Sequence, residues 1–465
     1  MPERTTRGIS LIGIFSNNMA GRLFVLILSL VLTCLMLVLG LVTGIQITIY
    51  TLAVLTGYLI FKGALLLIFL SFLGLVSGIK ICSLQILPGH YVGIDVGYPF
   101  IAIITIMYFL LFIKSFSKSI TLVKDPFQIP LLIILIAAII SLTYARNISI
   151  SLVYLFAMLC GYFLYRWIIH FGNNNLHKVG LILLFVFTLF IILSVAKSFF
   201  IPEAVTSKLG SIFGGRFSFV FSGPNTVSGV IASILPFLVI FVKRTSSPMK
   251  LSWLIIMVLA LYILYITSSR NGYLAAYSAI FISSILIVKK KNRLLVISAV
   301  LAVLIISVVL NPTIMKRLAT ISNYALDMSA LARFILWKQA IAAFMTFPLT
   351  GIGIANFYYL PLSLDLSIAH SQLLNMLAET GILGGVGYVI LLFYIFRHLG
   401  IEYKKNKQER NEKWLFTCAL IASWVAFTMH NAFDGVWTAP HHLKAAMFFW
   451  LVLGLTTIVL NGGND

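Results

Sequence analysis

The chain has 465 residues, of which 61% are hydrophobic, a formal net charge of +21 and a mean hydropathy of +1.07. No soluble core buries that much apolar surface, so apolar runs of about 20 residues mean a polytopic helical membrane protein. The runs lack the period-2 alternation of a membrane barrel. Most lysines and arginines crowd into short loops, which assigns the charge to lipid headgroups rather than nucleic acid.

Taken in order, Met1 to Arg22 is basic and runs into a full-length apolar stretch, so it reads as a retained first span rather than a cleaved leader. The predicted spans cover 23–43, 47–61, 64–80, 99–113, 129–144, 149–169, 179–199, 223–242, 251–268, 272–288, 294–310, 370–396, 414–430 and 443–461. That is about 12–14 transmembrane helices in one membrane domain, all-α, with two segments able to be re-entrant. Basic breaks occur at Arg4/Arg7/Arg22, Lys114/Lys118/Lys124, Lys243/Arg244/Lys250, Lys289–Arg293 and Arg397–Lys413. Counting spans puts all five on one side, which the positive-inside rule makes cytoplasmic, together with both termini. The outward breaks then fall near 81–98, 145–148, 200–222, 269–271, 311–369 and 431–442. All are short except 311–369, where an amphipathic run near Ser329–Met345 predicts one or two helices along the membrane surface, ended by Pro348 and Gly351. Cys34, Cys82, Cys160 and Cys418 are scattered without metal-ligand spacing and read as packing residues.

Outward charges are few, and three arginines stand out. Arg270, in TSSRNG, occupies a turn so tight that the helices beside it must be neighbours. It is either a snorkelling side chain or a cation facing a polar cavity. Arg216 precedes Ser222-Gly223-Pro224-Asn225, where a proline-led helix start beside a guanidinium favours an anion; an ordinary loop-to-helix start is the plain alternative. Arg333 lies in LARFILW. His370 begins a span, and Gln372, Asn375 and Glu379 follow at helical spacing on one face. Glu379 needs a partner at that depth, an arginine or a proton, and reads first as a clamp between helices. His430, His441 and His442 are rivals for any role given to His370.

Guanidinium groups hold diphosphate oxygens bidentately, and a neutral histidine can take a proton from a hydroxyl. The set suits one displacement at an anomeric carbon with a diphosphate leaving group. No HExxH, Asp-rich pair or close carboxylate pair argues for another route, so no metal or other cofactor is expected.

At these residues the sequence resembles the O-antigen ligase family, which includes O-antigen polymerases. The resemblance rests on SSRNGYLAAY, on Arg216 followed by SGPNTVSG, on Arg333 and Trp337 before FPLTGIGIANF, and on AHSQLLNMLAETGILGG. It covers about 210–400. Asn271 stands where the family commonly has glycine, and Ser371 where it commonly has asparagine. The resemblance implies glycan transfer from undecaprenyl diphosphate in a bacterial inner membrane, with the site facing outward. The acceptor would be lipid A–core for a ligase, the reading preferred here, or a growing polysaccharide for a polymerase. Arg216 and Arg270 would hold the diphosphate, His370 would be the base, and Arg333, Asn225, Gln372, Asn375 and Glu379 would support them. A transporter or flippase of a lipid-linked anionic solute is the rival class; it predicts helices broken near the midplane.

Overall fold

A computed structural model describes residues 41–77, 79–87, 90–116, 123–200, 223–244, 247–309, 328–361, 363, 368–435 and 443–462. Helices α1 (Leu41–Ile60) and α2 (Ala64–Val76) lead into strands β1 (Lys80–Leu87) and β2 (His90–Asp95). Then follow α3 (Gly97–Phe116), α4 (Gln128–Ser141), α5 (Ile148–Gly172) and α6 (Leu176–Phe200). The next group is α7 (Pro224–Arg244), α8 (Ser247–Thr267), α9 (Arg270–Ile287) and α10 (Arg293–Val309). The chain finishes with α11 (Met328–Thr346), α12 (Gln372–Asn406), α13 (Glu412–Ala432) and α14 (Leu443–Asn461). Each predicted span after the first coincides with a helix. Residues 23–40 of the first lie outside the described residues. Among the described residues, eight helices are long and apolar enough to cross a membrane, and the protein is a polytopic helical membrane protein.

Helices α7, α9 and α13 pack against one another, with α14 beside α5 and α12 beside α4 and α13. Lipid tails are as apolar as leucine, so these contacts rest on close packing and interhelical hydrogen bonds rather than on the hydrophobic effect. Pro236 lies inside the continuous helix α7, and Ser423 of α13 donates to Ser233 O at 2.5 Å three residues before it. A proline removes one helical N–H, and a neighbouring hydroxyl is a common way to satisfy the carbonyls around it.

The 81–98 break holds an element the spans did not suggest. Strands β1 and β2 pair antiparallel, with Leu87 opposite His90 and Lys80 opposite Asp95. Asp95 is fully buried and pairs with Lys444 Nζ at 2.6 Å, tying the hairpin to the start of α14. Burial pushes the Asp95 carboxyl up from its ordinary range, and the Lys444 and Lys80 ammonium groups oppose that shift.

The 311–369 break is also more closely packed than a surface loop. Residues 310–327 lie outside the described residues, but 347–357 fold onto a break in α12. Gly381 has φ 67 and ψ −165, a region essentially restricted to glycine. That break frees backbone groups, which the loop takes. Ile352 N–H donates to Ala378 O at 2.9 Å, Gly353 N–H to Glu379 O at 3.1 Å, and Ile382 N–H to Pro348 O at 2.8 Å. The approach is so close that a Cβ on Gly381 would lie 2.4 Å from Leu349 O, and one on Gly351 2.3 Å from Glu379 C. The other face of this loop is pinned to α4 and α5. Ile354 N–H donates to Ser141 Oγ, Ser151 Oγ–H donates to Ile354 O, and Asn356 Nδ2 donates to Ser151 Oγ.

Candidate functional site

Three helix ends meet at one end of the bundle. Pro224 opens α7 at its first turn, where a missing N–H costs nothing. Ser269 caps α9, accepting from Gly272 N–H at 3.2 Å, and its hydroxyl donates to Asn225 Oδ1 at 2.9 Å. The two N-termini are thereby held side by side, and each carries the positive end of a helix dipole. Arg270, the first residue of α9, is half-buried at the same point. His430, in the last turn of α13, completes the junction. Its Nε2–H donates to Asn225 O at 2.9 Å, and its own carbonyl accepts from Asn271 Nδ2 at 2.7 Å. A Cβ on Gly229 would fall 2.7 Å from the imidazole, so α7 meets α13 without room for a side chain. His430 is 1% exposed and committed to a backbone carbonyl. It fastens this junction through that bond.

His370 is arranged differently. Helix α12 begins two residues later, with Ser371 at its cap, and His370 itself has φ 51. A non-glycine residue in the left-handed region carries strain of order 1 kcal/mol or more, which the surroundings must hold. What holds it is Asp434, just past the end of α13. His370 Nδ1 lies 3.1 Å from Asp434 Oδ1, with the Asp434 side chain 2% exposed and that of His370 21%. A carboxylate only accepts, so Nδ1–H donates and Nε2 is left as the imidazole's lone-pair nitrogen. Asp434 Oδ1 also accepts from Gly435 N–H at 2.9 Å, which fixes the carboxylate.

Asn375 and Glu379 serve the loop below. Asn375 Oδ1 accepts from Ala369 N–H at 3.1 Å, next to His370 in the chain, and its Nδ2 donates to Glu379 Oε2 at 3.1 Å. Glu379 Oε1 accepts from Phe357 N–H at 3.3 Å. Of the partners expected for Glu379, an arginine or a proton, it meets no arginine among the described residues; it meets amide N–H groups, as a clamp would, because the Gly381 break brings the 347–357 backbone within reach. Gln372 is fully buried at the start of α12. Arg333, on α11, is near enough to His430 for their charges to interact, and Trp337 one turn on stands over Phe433 with ring centroids 6.3 Å apart.

The structure thus gathers Asn225, Arg270, His370 and Arg333 around the α13 end, and Gln372, Asn375 and Glu379 behind His370. Arg216, His441 and His442 lie outside the described residues. Asp434 went unnoticed in the sequence because the search there was for cations and imidazoles. Its signal was scarcity: the whole chain has 12 acidic residues, and Asp434 is the one acidic residue of the 431–442 break. An apolar cleft lies deeper between α7, α13 and α14, lined by Ser233, Trp424, Phe427, Phe448 and Phe449, with His430 and Asn431 at its polar end.

Residues 255–389 match the family model described as O-antigen ligase. The matched segment runs from α8 into α12, and it contains Arg270, Arg333, His370 and Glu379 but neither Asn225 nor Asp434. No curated protein matches the chain. The match supports an O-antigen-ligase-like membrane glycosyltransferase in general terms.

Proposed function

We propose, with the O-antigen ligase match as premise, that the chain transfers a glycan from a polyprenyl-diphosphate carrier to an acceptor hydroxyl on the outward side of the membrane. The observation that carries the reading is the His370–Asp434 pair at 3.1 Å, with His370 in a strained backbone conformation and partly open to solvent. His370 Nε2 takes the proton of the acceptor hydroxyl. The hydroxyl oxygen attacks the anomeric carbon as that carbon's bond to the diphosphate oxygen breaks, inverting the centre. Asp434 stays ionised and stabilises the imidazolium, the role an orienting carboxylate plays in other base–acid pairs. The diphosphate leaves with the bonding electrons, and Arg270 with the paired N-termini of α7 and α9 offsets its growing charge. Arg216 belongs to the same proposal on sequence grounds. The scheme asks for no metal, since guanidinium and backbone N–H groups supply the positive charge.

Of the two outcomes within the family, attachment to lipid A–core is preferred over joining of repeat units. The transporter reading anticipated a broken helix, and α12 has one at Gly381. The freed groups there are taken by Pro348, Ile352 and Gly353, and Glu379 by Phe357 and Asn375, which supports a packed joint rather than a solute path. The test is His370→Ala. Transfer from a diphosphate-linked donor should fall about a thousandfold while donor binding persists. Unchanged transfer by this variant would falsify the assignment of the base.

A further inference from the structure

The end of the bundle away from His370 carries a cluster that the proposed transfer does not use. Helices α9 and α12 start at the site and α13 ends there, so the α9–α10 and α12–α13 connections both lie at the far end. They meet at Tyr403. Arg293 of the first connection and Arg410 of the second are each close enough for their charges to act on its phenol. Tyr403 and Trp414 stack, with ring centroids 6.4 Å apart and planes 27° from parallel. Lys407 Nζ lies 5.9 Å from the centre of the Tyr403 ring, and the Arg410 guanidinium lies 5.5 Å from that of Trp414. Arg410 holds a left-handed backbone, φ 48, in the turn between Asn406, the last residue of α12, and Asn411, which caps α13 by accepting from Trp414 N–H. A costly backbone posture thus sets the guanidinium over the indole. The acidic groups nearby are committed elsewhere. Glu402 pairs with Lys413 Nζ at 2.6 Å and accepts from Asn406 Nδ2, Glu412 pairs with His177, and Glu409 accepts from Asn411 Nδ2 at 2.8 Å. Among the described residues, neither Arg293 nor Arg410 meets a carboxylate.

Two guanidinium groups and an ammonium therefore gather at one stacked aromatic pair, and beside Arg293 the side chains of Leu294 and Leu295 are 77% and 73% exposed. An occupant must bring anionic oxygens to the cations and hydrocarbon to the leucines. A soluble phosphate brings only the first. A zwitterionic phospholipid brings both, but its own cationic group offsets its phosphate. An anionic phospholipid brings both with its charge intact, and guanidinium groups match phosphate oxygens in pairs. We propose that Arg293, Arg410 and Lys407 hold the phosphate of an anionic phospholipid in the leaflet at this end, with Leu294 and Leu295 against its acyl chains. The inference stands independently of the transfer reading. Its rival is diffuse attraction between a basic connection and a charged membrane, in which the exposed Lys404 would matter as much as Arg410.

Lipid competition tests it. The full chain, purified in detergent, is mixed with equal amounts of dioleoyl phosphatidylglycerol and dioleoyl phosphatidylcholine, and the lipid retained is counted by native mass spectrometry. Wild type should retain phosphatidylglycerol about tenfold over phosphatidylcholine, Arg293→Gln and Arg410→Gln only about threefold, and Lys404→Gln as wild type does. Excess soluble glycerol phosphate should displace none of it. Equal retention of the two lipids by wild type overturns the site. So does an equal loss of preference in Lys404→Gln and Arg410→Gln, which would mean diffuse attraction. Displacement by glycerol phosphate also overturns it, since the site would then take a soluble anion. Arg410 is exposed, so its variant decides the question even where Arg293→Gln does not fold.

Discussion

The two ends of the bundle each hold a buried carboxylate beside a basic group, and they are built to different purposes. At the end carrying the α3–α4 connection, Asp125 accepts from Arg166 at 3.1 Å, from Tyr165 at 2.5 Å and from Phe127 N–H at 2.9 Å. Arg166 also donates to Tyr108 and to Val123 O, and Asn461 donates to Lys124 O, drawing the end of α14 into the same knot. Both side chains are nearly sealed, at 0% and 6% exposure. At the other end, Asp434 is as deeply buried, but its histidine is strained, partly open and left with one ring nitrogen uncommitted. A buried charge whose partners are used up holds structure together. A buried charge that holds a partly exposed group in a costly posture is the arrangement the proposed transfer requires.

Substitutions can break that contrast. The largest effect should come from Asp125→Ala, which leaves the Arg166 guanidinium buried without its carboxylate and should cost about 3–5 kcal/mol, read as loss of folded protein in detergent. Asp434→Asn comes next. Transfer should drop about a hundredfold as the imidazole loses its fixed tautomer, with the melting temperature nearly unchanged. If instead the melting temperature falls and the residual folded enzyme is fully active, the two ends are alike after all. Gly381→Ala sharpens the comparison at the joint between them: a left-handed backbone and a clash with Leu349 O should cost about 1–3 kcal/mol, visible as a lower melting temperature. Glu379→Gln is the smallest. It keeps an acceptor for Phe357 N–H and should cost about 1 kcal/mol or less, with transfer rates close to wild type; a large kinetic loss would move Glu379 into the reaction.

Much of this was legible in the chain. Helix positions follow from apolar run length, since each helix must satisfy its own backbone inside lipid. Arg270 and His370 were legible as polar groups stranded at helix ends. The hairpin was not read, although Pro88-Gly89 between extended residues is a turn signal; among so many spans a short polar stretch passes as a loop. The packing of 347–357 onto Gly381 was beyond reach for another reason. Pro348 and Gly351 marked the end of α11, but the break at Gly381 and its docking are not recognisable alone, because each segment satisfies the backbone groups the other frees. The His370–Asp434 pair, 64 residues apart in sequence, has the same character: it depends on α12 and α13 being neighbours.

The mutual fit of Gly351 and Gly381 has a consequence for how such sequences diverge. A methyl group on Gly351 would fall 2.3 Å from the Glu379 carbonyl carbon, and one on Gly381 2.4 Å from the Leu349 carbonyl oxygen, each on the segment that holds the other glycine. A lineage that gains a side chain at one site should therefore re-route the opposite segment as well. Among distant relatives the two positions should change hands as a pair or remain untouched, and a family tree in which they drift independently would mean that this joint is assembled differently elsewhere.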